Sequence, residues 1–268
     1  MRRFCGIIQG APGSGKTALA IALLDAGYRV IRCAFEPGDD VFHAFSKNAS
    51  KLINVTFEDD YELAADGLSC SAPRAMAAFE SFAYNGKVGK ETPYGHPREW
   101  QTDTVVLVDT LTSMGVAAEN RALALNASTR EGRHLWVAAQ DQEGICRFLC
   151  GSKRNHHTVV NAHLRLISPK AETGYKDETE LQKQIKRERA QLEDTGYFPT
   201  AVAPSIARNF VGLFPYALLC EEDARAKHAS QRILRTKPVA GYQIKCPLSI
   251  RDKLPIESAL LDIFRALA

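Results

Sequence analysis

The chain has 268 residues, 45% of them hydrophobic and 24% charged, an ordinary balance for a globular protein and a length suited to one large α/β domain. Its net charge of +3 is too small to argue a nucleic-acid partner from the whole-chain field, so that case falls to local patches. No apolar run reaches the roughly 18 residues that span a bilayer, and no membrane partner is expected. The seven cysteines are odd in number and lack the rhythm of a disulfide framework. Together with the entry into a first strand straight after Met-Arg-Arg, they predict a cytoplasmic protein without a signal peptide.

In chain order, Phe4-Cys5-Gly6-Ile7-Ile8 reads as a buried strand, and Ala18 to Leu24 as an apolar helix. Between them Gly10-Ala11-Pro12-Gly13-Ser14-Gly15-Lys16-Thr17 fits the phosphate-binding pattern G-x-x-x-x-G-K-[ST] at every fixed position. Each residue type has a mechanical reason to be there. The glycines permit backbone conformations that aim successive N–H groups at phosphate oxygens, Lys16 reaches the β- and γ-phosphates, and the Thr17 hydroxyl ligates Mg²⁺. Residues 10–18 are therefore the candidate triphosphate site, with the helix N-terminus adding its dipole.

Further strands are expected at Tyr28–Phe35, Leu52–Val55, Thr104–Asp109 and Thr158–His163, with a short one at Leu135–Ala139. Helical spacing occurs at 72–83, 117–126 and 141–150, and 84–103 reads as an exposed loop rich in Gly, Pro and charge. Residues 168–198 carry a dense mixture of Lys, Arg, Asp and Glu with few apolar anchors. This predicts a mobile charged loop and helix. Apolar structure resumes at Ile206–Leu219, short strands are expected at Gln231–Arg235 and Tyr242–Lys245, and a helix over Ile256–Leu267 closes the chain. The alternation of strands and helices, with no domain linker, predicts a single domain over 1–268 with a mainly parallel, doubly covered sheet.

Asp109 ends four consecutive apolar residues, as expected of the carboxylate that supports the Mg²⁺ shell, with Thr110 and Thr112 beside it. Glu36 follows the next parallel strand, whose carboxyl end converges on the phosphate, and is the candidate water activator. His163, at another strand end, is the candidate γ-phosphate sensor. Cys146-x-x-x-Cys150 followed by His156-His157 is poorly spaced for zinc and reads as buried helix cysteines. Trp100 and Trp136 read as core or loop anchors. No G-x-S-x-G elbow supports a serine hydrolase.

The order of these motifs resembles the RecA-like ATPase core, and within it the small phage nucleotide-binding proteins linked to single-strand annealing and recombination. The loop, Ala34-Phe35-Glu36, Val106-Leu107-Val108-Asp109-Thr110-Leu111-Thr112, Trp136 to Asp141, Val159 to His163 and Ile244-Lys245-Cys246-Pro247-Leu248 carry the resemblance. It implies a RecA-like P-loop fold with a C-terminal antiparallel extension, Mg-ATP as cofactor, and hydrolysis stimulated by single-stranded DNA in the host cytoplasm. It assigns Glu36 to water activation, His163 to coupling γ-phosphate with the DNA loops, and Lys245 to a basic finger reaching the nucleotide of a neighbouring subunit. It also gives 168–198 a DNA-contacting role, with Tyr175, Tyr197 or Phe198 stacking on bases. Asp40 and His43 are its candidates for base contact. Family recombinases carry an N-terminal docking segment; its absence before the first strand favours rings or DNA-induced assemblies over stable filaments. The alternative, from another class, is a nucleotide-dependent switch or assembly factor that binds a protein partner and no DNA.

Overall fold

The computed structural model describes residues 2–64, 67–88, 94–125, 133–151, 153–167, 196–200, 210–223 and 231–268. Five strands form a parallel array: β1 (Cys5–Gly10), β2 (Arg29–Ala34), β3 (Ile53–Thr56), β6 (Thr104–Asp109) and β7 (His157–Ile167); the central β1 and β6 are runs buried on both faces, while β3 at the edge buries only Val55. A sixth parallel strand, β9 (Tyr216–Glu222), flanks β1, and β10 (Arg232–Arg235) and β11 (Lys253–Pro255) extend the edge antiparallel. The strand order is β11-β10-β9-β1-β7-β6-β2-β3, with β8 (Gly196–Pro199) antiparallel to the far end of β7. A separate hairpin, β4 (Asp60–Ala64) and β5 (Gly67–Ala72), had no counterpart in the sequence reading.

One strand, β7, stands between the phosphate-loop strand β1 and the Asp109 strand β6. This is the RecA-like arrangement of a P-loop α/β fold. It places the ends of β1, β7, β6 and β2 side by side, with Gly10 level with His163 and Ala34 level with Asp109. Helices cover both faces: α1 (Ile21–Asp25), α2 (Asp40–Phe45) and α6 (Ala259–Leu267) with one core, α3 (Ala75–Asn85), α4 (Leu111–Ala124) and α5 (Arg133–Leu149) with the other.

Several expectations need correction. The proposed strand at Leu135–Ala139 is the start of α5, whose buried Ala138, Ala139, Gln142, Ile145, Cys146 and Leu149 follow helical spacing. The three- to four-residue period over seventeen residues overrides the strand preference of the local apolar run. The helix after the phosphate loop is shorter than read: Thr17–Ala20 forms a 3-10 turn before α1. Residues 242–245 make isolated bridges, Tyr197 to Tyr242, Val239 to Tyr242 and Ala217 to Lys245, and no strand. Trp100 is 3% exposed and its indole N–H donates to the Tyr94 carbonyl at 2.9 Å, so the 84–103 segment is anchored where it is described. Trp136, read as an anchor, is 59% exposed.

Cys150 is bonded to Cys5, 145 residues away, while Cys146 is a buried thiol. A bridge of that sequence separation leaves no rhythm in the cysteine spacing. The charged stretch 168–195, including Tyr175, lies outside the described residues. No described helix is long and apolar enough to cross a membrane.

Candidate functional site

The phosphate loop turns on glycines at two positive φ values, 75° at Gly13 and 95° at Gly15, which side chains with a Cβ rarely adopt. Gly10 is required for a different reason: a Cβ there would come within 2.5 Å of the Cys220 carbonyl and the Ser14 hydroxyl. Lys16 is 5% exposed and its ammonium donates to the Gly10 carbonyl at 2.9 Å and the Ala11 carbonyl at 2.7 Å. Burial lowers its pKa, while Cys220, Asp109 and Glu36 draw it back up. Because α1 is short, an anion held here would meet loop N–H groups and Lys16 more than a long helix dipole.

Thr17 and Asp109 meet across the β1–β7–β6 edge. The Thr17 hydroxyl donates to both Asp109 carboxylate oxygens at 3.2 Å. Asp109 is itself 1% exposed and held by two groups that sequence reasoning missed. Arg32 Nε donates to it at 2.8 Å, with both side chains 1% exposed, and Asn161 Nδ2 donates at 3.0 Å. Arg32 also donates to Asn54 Oδ1 and the Glu36 carbonyl, which ties the β2 end to the site. The sequence carried a signal for Arg32, since an arginine inside the apolar strand Val30-Ile31-Arg32-Cys33 needs a buried acidic partner. A Thr hydroxyl and a single carboxylate suit Mg²⁺, an oxygen-seeking ion that keeps waters and phosphates in its shell. Among the described residues no cluster of three or more His, Cys, Asp or Glu side chains forms a metal cage.

Glu36 sits just past β2 with its carboxylate oriented by neutral donors: Ser113 Oγ at 2.6 Å and Thr110 Oγ1 at 3.2 Å. The Asp109–Thr110 peptide bond is cis. His163 Nε2 lies 4.0 Å from Glu36 Oε1, and the His163 amide donates to Thr112 Oγ1 at 3.1 Å. Burial and the nearby Lys16 lower the His163 pKa, against the pull of Glu36 and Asp109, which favours the neutral ring. Thus Lys16, Thr17, Glu36, Asp109 and His163 converge from the ends of four adjacent strands.

Lys245 stands apart from this cluster. Its backbone pairs with Ala217, which is level with Ile7 in β1, and its ammonium donates to the Phe214 carbonyl at 3.3 Å. Tyr197 stacks on Tyr242 at 4.8 Å and 9°, and Phe198 is buried, so neither ring is presented as the stacking platform the resemblance implied. Asp40 and His43 are exposed on α2.

No protein-family model matches the chain, and no curated protein does. Among the solved structures that overlap it in part are two ATPases. One is a prototypical ATPase from the type III secretion system of pathogenic bacteria, at 14% identity over 80% of this chain and 50% of that chain, TM-score 0.44. The other is the assembled ATPase EscN in complex with its central stalk EscO, from the type III secretion system of enteropathogenic E. coli. It is 17% identical over 61% of this chain and 38% of that chain, TM-score 0.34. The chain thus spans half or less of each of these proteins. The fold assignment rests on the strand order and the loop, not on these likenesses.

Proposed function

We propose that the chain binds Mg-ATP on Gly10–Ala18 and hydrolyses it. The observation that carries this reading is the meeting of Thr17 with Asp109 at 3.2 Å beside a Glu36 carboxylate held by Ser113 at 2.6 Å. Lys16 is placed to neutralise charge on the β- and γ-phosphates. Glu36, held by hydroxyl donors rather than by a cation, keeps a carboxylate oxygen able to orient and deprotonate a water. Neutral His163 is placed to hydrogen-bond the terminal phosphate and to report its loss to Glu36 and Thr112. Mg²⁺, held by Thr17 and supported by Asp109, supplies electrostatic stabilisation of the phosphate oxygens.

The finer reading is a DNA-stimulated ATPase of recombination or single-strand annealing, phage-encoded, assembling as a ring or on DNA. It is supported by the sequence resemblance and by the exposure of Lys245 for a neighbouring subunit's nucleotide. The second reading, a nucleotide-dependent switch or assembly factor without DNA, is favoured by the apolar exposure on α4 and α5, where Val116 is 52%, Leu123 41% and Trp136 59% exposed. ATP turnover measured with and without single-stranded DNA across a salt series separates them. Stimulation that fades with salt supports the DNA reading; equal rates and no salt-dependent binding favour the switch. Absence of turnover under every condition contradicts the ATPase reading.

A further inference from the structure

We propose that the base of the bound nucleotide occupies a cavity of about 430 Å³ beside Ala18, stacked on Phe45. This rests on the nucleotide reading above. With the terminal phosphate held by Lys16 and His163, the remainder of the nucleotide leaves the loop along the backbone of Thr17 and Ala18. Ala18 lines this cavity, with Ile21, Phe45 and Ile256 among its apolar walls and Asp25, Arg232 and Glu257 as its polar groups. Its volume falls in the range of small-ligand sites, and apolar walls with a few polar groups are the usual lining of one.

Phe45 is 74% exposed, more than any other aromatic ring among the described residues. The chain that carries it is nevertheless tethered. The residues that follow it are pinned to α1, with Ser46 Oγ donating to Asp25 Oδ1 at 2.7 Å and the Asn48 amide to the same oxygen at 3.2 Å. A flat apolar face held at the mouth of a cavity is suited to stack on a base. Arg232 reaches between the cavity and the loop: a Cβ on Gly15 would come within 3.0 Å of its Cδ. Its Nε is buried without a hydrogen-bond partner among the described residues, a polar cost that a nearby anion offsets. A cation thus stands where the α-phosphate and ribose would pass.

Other sites fit less well. The neighbouring cavity of about 680 Å³ shares Arg232 with it but meets Ala11 to Ser14 rather than Ala18, and the rings of Tyr197 and Tyr242 in its wall already stack on each other. Asp40 and His43, the base-contact candidates of the sequence, do not line the cavity beside Ala18, although they share α2 with Phe45.

The test is calorimetric titration of the parent chain, Phe45→Ala and Phe45→Trp with Mg-ATP and, separately, with Mg-tripolyphosphate, which has the phosphates and no base. The substitutions alter an exposed ring, and far-UV circular dichroism checks that each variant is folded. Phe45→Ala is expected to weaken ATP roughly 5- to 150-fold, the range of base–aromatic stacking, and to leave tripolyphosphate within about twofold. Phe45→Trp is expected to restore ATP binding. Unchanged ATP affinity in Phe45→Ala, or equal weakening of both probes, overturns the cavity assignment while leaving the phosphate site intact. A parent chain that binds neither probe overturns the nucleotide reading itself and this inference with it.

Discussion

The two ends of the parallel sheet hold buried polar groups in opposite ways. At the carboxyl end, Lys16, Arg32, Asp109 and Glu36 are charged residues joined to one another or to hydroxyls, with Arg32 and Asp109 each 1% exposed. At the amino end, His157 is kept neutral by apolar packing. It accepts the Phe4 amide proton on Nδ1 at 2.9 Å and stacks on Phe264 with ring centroids 4.0 Å apart. His156 lies buried beside Trp100, and the Cys5–Cys150 bridge closes the same end. One end keeps charge available for a ligand and the other removes it to hold the fold. Substitutions at the first should therefore alter chemistry, and those at the second stability.

The largest effect is expected from Lys16→Ala. It removes the one cation inside the loop and should abolish Mg-ATP binding measured by titration; retained affinity would move the site elsewhere. Next, Arg32→Ala leaves Asp109 buried without its ionic partner and should destabilise the chain by about 3–5 kcal/mol in urea unfolding. Wild-type stability in that variant would mean that the ion pair is not what holds the carboxyl end together.

The smallest concerns pH. Burial, with Arg154 and Arg3 adding to it for His156 and Arg3 for His157, depresses both histidines from 6.5 to about 4. Between those values the unfolded chain takes up protons that the folded chain refuses, so stability is full above pH 6.5 and falls as pH drops towards 4. Allowing for solvent screening, the loss from pH 7 to pH 5 should be on the order of 2 kcal/mol for the pair. Melting curves should show it, and the His156→Gln/His157→Gln double variant should flatten it. An unchanged slope in that variant would assign the acid sensitivity to other groups.

Much of the carboxyl end was legible in the sequence because its signals are local. The loop spacing, the apolar run before Asp109 and the strand end before Glu36 are each contained within a few consecutive residues. Arg32 and Asn161 were missed because their meaning comes from register: Asp109 pairs with Ala34 across β2 and β6, and Asn161 comes from β7 on the other side. Cys5–Cys150 was missed for the same reason, since no local pattern marks partners 145 residues apart. The Leu135–Ala139 error arose from too short a window. Four apolar residues and a tryptophan suggest a strand, whereas the full run from Arg133 to Leu149 keeps helical period. Phe45 gave no signal either, because an aromatic at a helix end reads as core until its exposure is seen.

The most direct measurement is single-turnover hydrolysis of Mg-ATP by Glu36→Gln, run beside a binding titration of the same variant. Loss of the orienting carboxylate should slow hydrolysis by about 10²–10⁴-fold, with ATP affinity within about twofold of the parent. Hydrolysis at the parental rate with ATP bound would contradict Glu36 as the water-activating group.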